Sequence, residues 1–359
     1  MRKTSLYQFH IDNDARLVPF AGYEMPLHYE AGIVKEHLWV RSHCGLFDVS
    51  HMGQIFVRGS RVSELFSYIT PTNFEDLNDF SCKYTVLTDE NSCVIDDLII
   101  SKITSDLFYL VVNASRKDID LEWISKFAGE FDCNVEPLSN YSLIAIQGCK
   151  SLDILSNLFN TELSDLKYMN LKYINYKDVD LLVSRTGYTG EDGFEISIPD
   201  NMVNEFCSSL LSFDDIKPVG LGARDSLRLE MGYPLYGHEL SQDINLAESS
   251  LSWIISKDNK FLGYNNLKNI SNRKRVSFKL IDKGVARDNM EIYDNNNNLI
   301  GYVSSAGYSP SLSCSIGQAY INIDNSKINN EIFIKIRDNF KKAVITKLML
   351  FNPKLKKAS

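Results

Sequence analysis

Between Cys82 and Ala114 apolar and polar side chains alternate through three runs, CKYTVLTD, VIDDLIISKI and DLFYLVVNA, with DENS separating the first two. A period of two bounded by turn residues predicts an antiparallel meander. The period then lengthens: SRKDIDLEWISKFAGEF reads as a helix, YSLIAIQG as a strand and KSLDILSNLF as a second, amphipathic helix. Two strand-to-helix units in tandem predict an α+β architecture with helices packed on sheets. Further along, DVDLLVSR and FEISIP have strand composition and flank SRTGYTGEDGFE, and NMVNEFCSSLLSF and ARDSLRLEM follow as helices. Upstream, residues 18 to 28 read as an aromatic, glycine-containing loop, and GIVKEHLWVRSH carries apolar positions at near-helical spacing. From Val276 onward short strands follow one another without helices, with Asn295 to Asn298 as a hairpin tip, which predicts a small C-terminal barrel or sandwich. The expected division is residues 1–275 as two intertwined α+β domains and 276–359 as the C-terminal domain, a length of chain that exceeds one hydrophobic core.

The alternation also sorts the chemistry. In VIDDLIISKI the adjacent acids Asp96 and Asp97 point to opposite faces, Asp97 with Ile95 and Ile99, Asp96 with Leu98 and Ile100, so they do not form a paired acid and base. In FEISIP, Phe194, Ile196 and Ile198 share one face and Glu195 and Ser197 the other, which puts Glu195 toward a cavity or water. The glycines Gly187, Gly190 and Gly193 predict a shaped turn able to take positive φ or to approach a ligand closely. No helix follows them, which excludes a dinucleotide fingerprint. Arg224 and Arg228 stand four apart and share one helix face; at the helix start the Arg224 cation opposes the macrodipole unless an anion or acid compensates, the alternative being a local Asp225 to Arg228 pair with Arg224 solvated. Asp48, Ser50 and His51 are too close in sequence for a triad and read as a turn with capping side chains. Met52 is a pocket-lining candidate.

Composition narrows the classes. Seven cysteines, never closer than 11 positions, cannot build a zinc ribbon and read as reduced thiols; the histidines form no ligand pair, and no metal is expected. No apolar run approaches a membrane span. The expected location is the cytoplasm, or the mitochondrial matrix for a processed eukaryotic chain. Glu331 to Ser359 carries eight Lys or Arg against two acids, a net +6 within a chain of net charge −8, so the upstream residues carry −14. An acidic body argues against nucleic acid and for an acidic protein surface or an anionic small molecule as the partner of the basic tail.

Taken in order, FAGYEMPLHY, GLFDVSHMG, YTVLTDENSCVIDDLI, VVNASRKD, SRTGYTGEDGFE, GLGARDSLRLE and GYSPSL resemble the T-proteins of the glycine cleavage system, which are folate-dependent aminomethyltransferases. The resemblance runs from about Thr4 to beyond Leu312. It implies three domains around a central folate channel, tetrahydrofolate as co-substrate, and a lipoylated H-protein that carries the aminomethyl group. It further implies that Asp97 is the catalytic aspartate, that Glu195 grips the pterin, and that Tyr84, Tyr188 and Arg224 line the channel, with Met52 and Asn113 as further lining residues. The chain departs from the family pattern in two places. Ser92 and Cys93 stand where relatives carry two glycines, and Asn352 stands near the expected tail-binding arginine, leaving Lys354 as a substitute point charge. Competing readings are a folate-dependent demethylase of a small methylated amine or sulfonium, and a folate-binding iron-sulfur assembly factor. The latter carries a KGC-type motif where Thr186 and Gly187 stand.

Overall fold

The computed structural model describes residues 1–268 and 272–352. Lys354, Lys356 and Lys357 of the basic tail lie outside the described residues.

The meander forms as its alternation requires, and it belongs to a five-stranded antiparallel sheet in the order Ser81–Thr88, Val94–Thr104, Leu107–Val112, Gly53–Gly59, Cys133–Pro137. A second, six-stranded sheet runs Leu171–Tyr176, Val179–Ser184, Gly193–Pro199, Tyr141–Gln147, Cys44–Asp48, Ile216–Pro218, and only its last pair is parallel. The chain passes from the second sheet to the first after Asp48 and returns at Tyr141, so the two sheets are interleaved in sequence. Each covers its outer face with helices: Val62–Ile69 and Lys117–Ala128 over one, Ser151–Phe159 and Asp200–Leu210 over the other. Phe194, Ile196 and Ile198 enter the outer core of the six-stranded sheet. Leu143, Ala145 and Leu182 face inward and meet Tyr109, Val111 and Ile103 of the five-stranded sheet. Between the sheets the Gln54 Oε1 atom accepts hydrogen bonds from Tyr109 (2.7 Å) and Ser197 (2.6 Å), so these three buried polar side chains are paired.

From Arg273 the chain closes a six-stranded barrel in the order Arg273–Leu280, Cys314–Asn322, Leu299–Ser309, Glu291–Tyr293, Glu331–Ile336, Asn339–Thr346. Asp294 caps the asparagine tip, its Oδ1 accepting the backbone N–H groups of Asn296 and Asn298 at 2.8 Å. After Thr346 the chain leaves the barrel, and the N–H groups of Leu350 and Phe351 donate to the carbonyl of Glu230.

Two expectations need correction. Residues 18 to 28 are a β-hairpin, Arg16–Phe20 paired with Tyr23–His28, whose two-residue turn Ala21-Gly22 has positive φ at both positions (47° and 80°). Proline in each strand hides the alternation, and it is tolerated because this ribbon is all edge. Ile95 does not share a face with Asp97. The register shifts between Leu87 and Thr88, so Leu87 pairs with Asp96 and Thr88 with Val94, and Ile95 bulges into the outer core with Leu98 and Ile100. Val94 takes the inner side instead, beside Val86.

Candidate active site

Where the inner faces of the two sheets diverge, a cavity of about 1050 Å³ opens, walled by both sheets, by the helix Leu221–Glu230 and by the barrel. Met52, Tyr84, Asp97, Asn113, Tyr188, Glu195 and Arg224 all lie on its wall.

Asp97 faces inward from the middle of the meander, opposite Val86. Its Oδ2 accepts a hydrogen bond from the Tyr84 hydroxyl at 2.9 Å and its Oδ1 one from the Asn113 amide at 2.8 Å. Asn113 follows the strand Leu107–Val112, and from that strand end its amide also reaches Asp96 Oδ1 at 2.9 Å while its backbone N–H donates to Asp96 Oδ2 at 3.1 Å. The two acids therefore point to opposite faces yet meet through one side chain. Burial, and then the charge of Asp96, push the Asp97 carboxyl up to about 7, and the bonds from Tyr84 and Asn113 only partly oppose this. Burial and Asp97 likewise hold the Tyr84 phenol well above its ordinary range. Serine at position 92 is accommodated: it takes φ of 61° itself, and its hydroxyl donates to the Gly263 carbonyl at 2.5 Å.

On the opposite sheet the loop 185–192 is closed at its base by a bidentate ion pair, Arg185 Nε to Asp192 Oδ1 at 2.9 Å and Nη2 to Oδ2 at 2.6 Å. Only Gly190 of the three glycines has positive φ (79°). At Gly187 and Gly193 a Cβ would collide with the Gln147 side chain, which donates to the Thr186 carbonyl at 2.9 Å and accepts from the Thr189 hydroxyl at 2.8 Å. Those two glycines admit a pin of the protein's own. The pinned loop presents Thr186, whose hydroxyl donates to Glu195 Oε2 at 2.5 Å, leaving the Glu195 Oε1 atom free of any protein donor among the described residues.

Arg224 is not a solvated cation. Its guanidinium lies over the Tyr188 ring at 4.8 Å, its Nη2 is 3.9 Å from the Met52 sulfur, and its Nη1 is buried with no hydrogen-bond partner among the described residues. Burial lowers its proton affinity, and the charge of Glu195 restores part of it. The acid that compensates the helix N-terminus is Glu36, which accepts the Gly220 N–H at 2.9 Å. Arg228, one turn on, also lines the cavity, but its guanidinium is committed to Asp225 and Glu239, both at 2.8 Å.

Comparison with known proteins settles the family. The model of the GCVT N-terminal domain matches residues 6–259, and that of the glycine cleavage T-protein C-terminal barrel domain matches 273–352. The aminomethyltransferase of Chlorobaculum tepidum is 37% identical, over 97% of this chain and 98% of that protein. That of Staphylococcus saprophyticus is 38% identical, over 97% of each. The crystal structure of glycine cleavage system aminomethyltransferase T from Bartonella henselae superposes with a TM-score of 0.93 at 32% identity, over 98% of both chains. The chain belongs to the glycine cleavage T-protein family.

In this T-protein the cavity wall holds residues that patterning did not single out. Trp253 stacks on Tyr84 with ring centroids 5.9 Å apart and is 68% exposed, so it forms an aromatic rim above Asp97. It sits between the helix Leu221–Glu230 and the first barrel strand, where its residue type is the only signal in the sequence. Tyr233 stacks on Tyr188 at 5.6 Å. His51 is buried against Phe20 and Tyr23 with its Nδ1 unpartnered among the described residues, and burial pushes its imidazole down to about 3. Asp48 does cap the turn, accepting the Ser50 N–H at 2.9 Å, but it holds His10 and Thr4, not His51. Among the described residues no group of three or more metal-ligating side chains forms, and no helix is long and apolar enough to cross a membrane.

Proposed function

We propose that this T-protein is an aminomethyltransferase that moves a methylene from the aminomethyl group on a lipoyl sulfur of H-protein to tetrahydrofolate. The products are 5,10-methylenetetrahydrofolate, ammonia and the dihydrolipoyl arm. The observation that supports this most is one cavity holding a carboxyl of raised proton affinity, Asp97, together with two charged groups, Glu195 and Arg224, whose bonding capacity is only partly used among the described residues.

The transfer breaks one carbon-sulfur and one carbon-nitrogen bond and makes two new carbon-nitrogen bonds to folate. Two protons leave the folate nitrogens, one ending on the lipoyl sulfur and the other on ammonia. The protein's task is to orient the reactants and to carry protons between them. A carboxyl with affinity near 7 is matched to both accepting and returning a proton at neutral pH. Asp97 is the group assigned to take the proton from folate N10 as that nitrogen closes on the methylene. Tyr84 and Asn113 keep the carboxylate aimed while it does so. Glu195, with one oxygen held by Thr186, is assigned to the pterin amino and ring N–H donors. Arg224 supplies a planar donor whose own desolvation is already incurred in the folded protein, and Tyr188 and Tyr233 supply flat apolar surface for a ring.

The deciding experiment measures ammonia release from aminomethylated H-protein with and without tetrahydrofolate, for wild type and Asp97→Asn. Folate-dependent release that collapses in the variant is the expected result. Wild-type protein that binds folate tightly but releases no ammonia would move the assignment to another one-carbon donor.

A further inference from the structure

Behind Asp97, on the far side of the five-stranded sheet, lies a third acid that the reaction does not touch. Asp120 is in the first turn of the helix Lys117–Ala128 and is fully buried. Among the described residues neither of its carboxyl oxygens accepts a hydrogen bond from any N–H or O–H group. A buried carboxylate without a donor is among the most costly arrangements a fold can contain. The group it faces is the Asp96 carboxyl, which is also fully buried. Asp96 is equipped as an anion, accepting both the side-chain amide and the backbone N–H of Asn113. Two such acids in contact are stable only if one keeps its hydrogen and donates it to the other. The bonding pattern says which, because Asp96 has donors and Asp120 has none.

We propose that Asp120 is a positioning residue for the transfer reaction: it donates its carboxyl hydrogen to Asp96, and Asp96, so held as an anion, fixes the Asn113 amide that orients Asp97. This rests on the reading of Asp97 given above. The titratable and charged groups around the pair are Asp97 on the same strand as Asp96, Arg116 at the start of the helix, and Tyr236 from the loop after Glu230. Arg116 donates from Nε to the Ile95 carbonyl at 2.9 Å and stacks on Tyr236 at 4.7 Å, and its charge favours the anion on Asp96. Burial, and then Asp96, hold Asp120 well above the carboxylate range.

A consequence follows for Asp97. The Asp96 anion is one of the causes of its high proton affinity. Without the hydrogen from Asp120, Asp96 takes up a proton of its own, the field at Asp97 weakens, and the affinity of Asp97 falls.

The test uses the full chain with H-protein. Asp120→Leu, which keeps the branch at Cγ but has no hydrogen to give, is expected to move the acidic limb of the turnover profile about one pH unit toward acid. Asp120→Asn, whose amide still donates to Asp96, is expected to leave the limb in place. Infrared spectra of the protein alone at pH 9 provide a second readout: wild type shows a protonated carboxyl band that Asp120→Asn removes. A limb unmoved in Asp120→Leu, a limb displaced equally in both variants, or a band absent from wild type or retained in Asp120→Asn overturns the proposal. If instead Asp97→Asn keeps full turnover, the reading of Asp97 fails while the infrared result on Asp120 stands, so the two failures are distinguishable.

Discussion

Two groups of buried charges sit within a few turns of each other in this molecule and are finished in opposite ways. At the seam between the barrel and the body, Arg228 meets Asp225, Glu239, the Tyr233 carbonyl and Ser305. Arg41 meets Glu230, Glu191 and the Thr189 carbonyl, and Glu230 in turn accepts from Ser309 and Ser311. In the cavity, among the described residues, Arg224 keeps a buried Nη1 with no partner and Glu195 uses one oxygen, while burial and the charge of Asp96 raise the affinity of Asp97. Arg228 is saturated and Arg224 is not, although Arg41 at the seam also keeps its Nε without a partner among the described residues. A satisfied network specifies how two bodies dock, whereas an unsatisfied one holds bonding capacity for something that arrives later. Arg224 and Arg228 make the contrast on a single helix, one turn apart.

The largest effect expected from this contrast is on chemistry. Asp97→Asn should lower turnover by about 100-fold or more while folate affinity, measured by calorimetry, changes little; near-normal turnover would remove Asp97 from the reaction. Next comes the seam. Glu239→Ala removes the buried partner of Arg228 and leaves only the half-exposed Asp225 against its charge, which should cost about 3–5 kcal/mol in urea unfolding. Arg224→Met, on the same helix, should leave unfolding within about 0.5 kcal/mol of wild type or raise it, yet weaken folate binding, since it removes an unpaired charge. Equal losses of stability in the two variants would erase the distinction. Smaller again, Glu195→Ala should weaken folate binding by about 1.5–3 kcal/mol, the usual worth of a hydrogen bond to a charged group.

The smallest effect is in pH. With the folded affinity of Asp97 raised above its unfolded value, the native state holds a proton that the unfolded chain has released between about pH 4 and 7. Asp97 therefore lowers stability progressively as pH rises through that window. Thermal melts of Asp97→Asn and wild type should agree at pH 4 and diverge in favour of the variant by pH 8. The turnover of wild type should rise with pH through about 7 as the base ionises.

Much of the fold was legible because its strands are half-buried and alternate: Phe194, Ile196 and Ile198 against Glu195 and Ser197 could be sorted without coordinates. Where one residue breaks the count, the pattern misleads, as with the bulge at Ile95. Where prolines sit in an edge ribbon, it falls silent, as in residues 16 to 28. The placement of Asp97 on a cavity wall was legible from parity together with family likeness, but its environment was not. Asn113 is 16 positions away and Asp120 lies on a helix across the sheet, and only the folded chain makes them neighbours. Gly187 and Gly193 show the converse: the signal was real, and the object it makes room for is Gln147, a strand away.

One detail of the chain's path bears on how such a protein is made. Leu348 and Met349 form part of the cavity wall, and the next two residues bond to the carbonyl of Glu230. Synthesis runs from the other end, so a nascent chain that has already completed both sheets and most of the barrel still has a breach in its reaction chamber. Translation has to pass residue 351 before the enclosure can shut, and any substrate that met the chain earlier would find a cleft open to solvent rather than a chamber.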